Sequence, residues 1–116
     1  MAFSHPSKLQ LIRAANDAAF YTALHVMMVP EQLAVVRVMT RAGAGGHSVP
    51  ENKIHSRFHR LWHLASEAIA FSDSASCYDT SLRPRPLTVA LFSNGFPVGQ
   101  PTWPAWTPVE MSSRWP

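Results

Sequence analysis

Residues 22–29, Thr-Ala-Leu-His-Val-Met-Met-Val, form an almost unbroken apolar run that Pro30 ends, and no other stretch limits the fold as tightly. A run of this length without alternation reads as a strand covered on both faces, the habit of a parallel sheet. His25 inside it is expected to be a core histidine hydrogen-bonded to a neighbour, because buried polar groups normally find partners. Before the run, residues 6–20 carry Leu9, Ile12, Ala15, Ala19 and Phe20 at helical spacing, with Pro6 in the first turn.

A second helix is expected over residues 31–42, with Leu33, Val36 and Thr40 turned inward and Arg37 and Arg41 one turn apart on a shared face. Gly45 and Gly46 then allow positive φ and end it. Pro50 and Glu51 suit the first turn of a third helix over residues 50–71, where a missing N–H costs little and a carboxylate meets the positive end of the dipole. At about 100° per residue, Ile54, Phe58, Leu61, Ala65, Ala68 and Ile69 fall on one stripe of that helix. Lys53, Arg57 and Arg60 share one flank, and His55, His59 and His63 the other. Clustered cations repel mildly on a solvated helix, so the cluster is useful only where an anion meets it. The three histidines include pairs that could share an ion. With no H-E-x-x-H motif and no acid nearby beyond Glu51, no metal is expected.

Short strands are expected over residues 75–78 and 87–92, separated by the stiff Arg-Pro-Arg-Pro segment, with a hairpin-type turn at Asn94-Gly95. After Phe96 the prolines and Trp103, Trp106 and Trp115 favour an extended tail whose aromatics dock back onto the protein's own surface. The expected architecture is α/β: parallel strands with packing helices over residues 1–96, then a Pro/Trp-rich extended tail over residues 97–116.

The ordered pattern R-x-x-x-G-G-H-x-V-P-x-x-K-I-x-x-R-[FY]-x-R, filled here from Arg41 to Arg60, resembles the signature in the C-terminal half of zeta-toxin-like kinases, a branch of the P-loop phosphotransferases. Phe3-Ser-His-Pro-Ser-Lys8, Arg37-Val38, Tyr78-Asp79 and Trp103-Pro-Ala-Trp-Thr-Pro108 extend the likeness over roughly positions 3 to 108. At residues 79–81 the chain reads Asp-Thr-Ser where members usually read Asp-Asn-Ser. The resemblance implies a partial P-loop kinase-like fold and phosphoryl transfer from ATP, with Mg²⁺, to a small acceptor such as a UDP-amino sugar. It further implies that Arg41, Arg57 and Arg60 close over the γ-phosphate, that Arg37, His47 and Lys53 lie on the nucleotide side, and that Ser4, His5 and Ser7 lie on the acceptor side. An antitoxin partner is common in that family.

No G-x-x-x-x-G-K-[ST] occurs in the sequence, so the loop whose N–H groups and lysine hold phosphates is absent. The chain alone is therefore expected to transfer phosphate very slowly or not at all; a start inside a longer reading frame, a gene remnant and a chain completed by a separate partner all fit this absence. The alternatives are a non-catalytic binding or assembly module and a truncated gene remnant. Charged residues make up 15% of the chain, low against the usual quarter, which suits either a surface that packs on a further part or a compact single domain. A net charge of +3 without a long basic run does not point to nucleic acid. The single cysteine, Cys77, excludes an internal disulfide and is expected in a buried strand. With neither signal-peptide pattern nor an apolar run of ~20 residues, membrane association is not expected and the cytoplasm is the expected location.

Overall fold

The computed structural model describes residues 6–43, 50–81 and 85–116, and these residues form both helices and strands. The order is α1 (Ser7–Asp17), β1 (Ala23–Met28), α2 (Glu31–Gly43), α3 (Glu51–Phe71), β2 (Ser74–Asp79), β3 (Leu87–Ser93), β4 (Phe96–Pro97) and α4 (Val109–Ser112). The four strands lie in sequence order, β1-β2-β3-β4. Only β1 and β2 run parallel; β3 and β4 each pair antiparallel with the preceding strand. The sheet is therefore mixed rather than wholly parallel. Its parallel pair is joined by α2 and α3, and β2 turns back into β3 over a connection too short for a crossover helix.

Register explains the core. Leu24, Val26 and Met28 pair with Ala75, Cys77 and Asp79, and Ala75 and Cys77 pair in turn with Phe92 and Ala90. Directly opposed residues share a face, and this face is covered. Along β1 burial alternates, with Val26 and Met28 buried and His25 and Met27 exposed. The expectation of a strand covered on both faces is thus overturned: Met27 and Leu91 remain 57% and 44% exposed on the other side. His25 is likewise on the open face rather than in the core. Its Nδ1 lies 3.0 Å from the Tyr78 hydroxyl, and the two rings stack.

The third helix starts and ends close to where the sequence places it. Its inward stripe includes Ile54, Phe58, Ala65, Ala68 and Ile69, and adds Trp62 and Leu64; Leu61 is half-buried at the border. In α2, by contrast, Ala34 and Val35 are the buried positions, while Val36 is 57% exposed and Thr40 is also exposed. The inward face is rotated from the expected one because Val36 and Thr40 point to a groove instead. Glu31 in the first turn and Arg41 in the last match the two ends of the α2 dipole.

The C-terminal residues complete the core. The N–H groups of Val98 and Thr102 donate to the carbonyls of Leu91 and Val89 at 2.8 and 2.7 Å, so the segment after the hairpin follows the outer edge of β3. The chain then forms α4, a short helix where an extended tail is expected. Pro108 precedes it, a position at which a proline leaves no helical N–H bond unmade. Met111 and Trp115 are buried, and Trp115 packs on Phe92 with ring centroids 4.7 Å apart.

Candidate functional site

β1 is the outermost strand of the sheet. Beside it α2 and α3 enclose a groove of about 740 Å³. Leu24, Val26 and Val29 form its sheet wall, Phe58, Leu61 and Trp62 belong to the α3 wall, and Ala34 and Val36 to the α2 wall. The polar groups on this apolar lining are few: Arg37, Arg41 and Thr40 from α2, and His25 from β1. A concave, largely apolar cleft with a few convergent polar groups is the usual form of a small-molecule site.

Arg37 is anchored. It is half-buried, and its Nη2 donates to the Thr80 carbonyl at 3.1 Å, which fixes α2 to the chain just beyond β2. Thr80 is itself held, since its N–H and hydroxyl both donate to the Met28 carbonyl at 2.9 and 2.8 Å. The buried Asp79 accepts from the Ser81 N–H and hydroxyl at 2.8 and 2.6 Å, so the departure at residues 79–81 forms a closed turn. All of this lies at the carboxyl ends of the two parallel strands, where open α/β sheets bind ligands. Arg41, one turn along α2, is exposed.

The other cations stand apart from this groove. Lys53, Arg57 and Arg60 are exposed on α3 and do not belong to its lining. The geometry thus joins Arg37 with Arg41 and leaves the α3 triplet on a separate solvated flank. Ser7 opens α1 and is exposed. Ser4, His5, His47 and the Gly45-Gly46 hinge lie outside the described residues.

Two features of the site escape the sequence. The first is Glu31. Its Oε1 lies 2.5 Å from Nδ1 of His55 and 3.2 Å from Nε2 of His59, while Oε1 of Glu51 lies 3.5 Å from Nε2 of His55. Helical spacing lines up the two histidines, but nothing local announces a carboxylate 24 residues away. Folding raises the His55 pKa, chiefly through the hydrogen bond to Glu31, with desolvation opposing and Glu51 reinforcing. Among the described residues no group of three or more His, Cys, Asp or Glu side chains is arranged to hold a metal ion. The second is Trp62, whose indole N–H is buried behind the α3 wall without an acceptor. No helix of the described residues is long and apolar enough to cross a membrane.

Comparison of the chain with known protein families, curated proteins and solved structures finds no match.

Proposed function

We propose that this chain supplies the cationic part of a zeta-toxin-like kinase, which transfers the γ-phosphoryl group of ATP, with Mg²⁺, to a small acceptor such as a UDP-amino sugar. The observation that supports this reading is the placement of Arg37 and Arg41 one turn apart at a groove beside the ends of the parallel strands. Phosphoryl transfer depends on positioning and on neutralising charge, and guanidinium groups do both through paired N–H donors. In this reading Arg41 meets the phosphates with Arg37 as its anchored neighbour, and Arg57 and Arg60 act from α3. Lys53 and His47 serve the nucleotide side, and Ser4, His5 and Ser7 the acceptor side. A complementing chain brings the phosphate loop, an antitoxin is a candidate partner, and the cytoplasm is the setting that fits a lone thiol.

Calorimetric titration with ATP and Mg²⁺ tests the proposal. Arg41→Ala is expected to weaken binding by about tenfold or more, the value of one charge-assisted hydrogen bond. Arg57→Ala with Arg60→Ala is expected to weaken it further. Binding indifferent to all of these arginines, or none at millimolar nucleotide, refutes it. Turnover by the chain alone at about 1–100 per second would show that no phosphate loop is needed.

A second reading, a binding module without catalysis, draws on the apolar character of the groove and the distance of the α3 cations from its lining. It predicts that uncharged apolar ligands bind at least as well as nucleotides. A partner docking on Trp103 and Trp106 fits less well, because both rings already pack against the core.

A further inference from the structure

The first turn of α2 meets the first two turns of α3 through a cluster of two carboxylates and two imidazoles. One oxygen of Glu31 serves both histidines, and His55 stands between two acids: Glu31 on its Nδ1 side and Glu51 on its Nε2 side. This arrangement has different worth in the two protonation states. A neutral imidazole carries a single N–H, so a neutral His55 can donate to only one of its carboxylates and turns a lone pair toward the other. A charged imidazole donates from both nitrogens, satisfies both acids and cancels part of their charge. Glu31 from α2 and Glu51 from α3 are the titratable groups that meet His55 among the described residues, and His59 reaches the cluster through Glu31. The strong cations of α3, Lys53, Arg57 and Arg60, form no ion pair with it.

The position of the cluster gives it a consequence. Glu31 begins the helix that carries Ala34, Arg37 and Arg41 into the groove, and His55 and His59 stand at the start of the helix that provides Phe58 and Trp62. We propose that Glu31, Glu51 and His55 form a proton-operated latch, which pins the start of α2 to α3 and fixes the groove wall when the His55 imidazole is charged, and releases that wall when it loses its proton. The latch is independent of what the groove binds.

The sign follows from the direction of the titration. Folding raises the His55 value above 6.5, so the stabilising contact is fully present below pH 6.5 and is lost as pH rises through the raised value.

The test combines histidine proton NMR with amide hydrogen exchange from about pH 6 to about pH 8, the range in which imidazoles change charge. Protection factors are corrected for intrinsic exchange. In the wild-type chain His55 is expected to titrate above 6.5, and protection of the Ala34 and Val35 amides is expected to fall severalfold on the same midpoint, while the amides of Ala75 and Cys77 in β2 stay unchanged. Glu31→Gln is expected to bring the His55 midpoint down and to remove the pH dependence in α2. His55→Gln keeps a hydrogen-bonding side chain without a proton to lose, and is expected to leave α2 protection flat with pH; it serves as the second variant where Glu31→Gln fails to fold. An unshifted His55, pH-independent α2 protection in the wild type, or a pH dependence that survives either substitution overturns the latch.

Discussion

The indole N–H of Trp103 donates to the main-chain oxygen of Trp115 across 2.6 Å, and the Trp115 indole N–H donates in turn to the Gly95 carbonyl at 3.3 Å. Two tryptophans twelve positions apart thus tie the C-terminal segment to itself and to the β3–β4 turn. Both rings lie near Phe92, at centroid distances of 6.3 and 4.7 Å. Trp115→Ala is expected to cost about 3–5 kcal/mol in urea unfolding, as for a large aromatic deleted from a core. Trp103→Phe, which loses mainly the hydrogen bond, is expected to cost about 1 kcal/mol. Equal losses from the two would show that the segment is not held by the packing of Trp115.

At the turn, Gly95 has φ +81° and a Cβ placed there would lie 2.9 Å from the Ala70 carbonyl oxygen. Gly95→Ala therefore combines left-handed backbone with a clash against main chain that cannot easily retreat. A loss of at least about 1–2 kcal/mol is expected from the backbone term alone. Asn94→Gly, at φ +52°, is expected to be near neutral because asparagine and glycine both tolerate that region. Chemical denaturation of the two variants checks the contrast.

Asp73 fastens the start of β1. Its Oδ2 accepts from the Thr22 N–H at 2.7 Å and lies 3.2 Å from the Thr22 hydroxyl, which also lies 2.8 Å from Oδ1 of Asn16. Asn16 in turn donates to the Phe71 carbonyl at 2.6 Å, so α1, β1 and the end of α3 share one knot. Asp73→Ala is expected to cost about 1.5–3 kcal/mol, the range for hydrogen bonds to a charged group. Exchange protection should fall at the start of β1 before it falls in β3.

Burial pushes the Cys77 thiol up to about 12. At pH 8 the thiolate fraction in the folded protein is then about one part in ten thousand. Reaction with a disulfide reagent is expected to be slow at that pH and to speed up on adding urea, with a rate that follows global unfolding. Fast labelling of the native chain would contradict the enclosed position in β2.

Local chemistry made much of this fold legible. The apolar stripe and the Pro-Glu start of α3, the Asn-Gly turn and the strand holding Cys77 all follow from spacing and backbone preference. What failed was tertiary. The run over residues 22–29 lacks alternation, yet burial along β1 alternates, with His25 and Met27 exposed and Val26 and Met28 enclosed, because one face of the strand is covered more fully than the other. In α2 the apolar residues nearly encircle the helix, so the sequence does not choose among Ala34, Val35 and Val36; packing does. The pairing of Glu31 with His55 needs two helices to meet, and the helix at residues 109–112 depends on Met111 finding a buried seat. For the site, Arg37 and Arg41 follow from a one-turn spacing, whereas the Thr80 carbonyl that holds Arg37 has no signature in side chains at all.

Placing Trp115 in the core sets an order for biosynthesis. A ribosome delivers the chain from its N-terminus, so the strands and long helices emerge while the Phe92 face of the sheet still lacks part of its cover. Until residue 115 has cleared the ribosome, the side of Phe92 that Trp115 covers stays open, and a nascent chain paused before this point presents a chaperone with apolar surface that Trp115 later conceals.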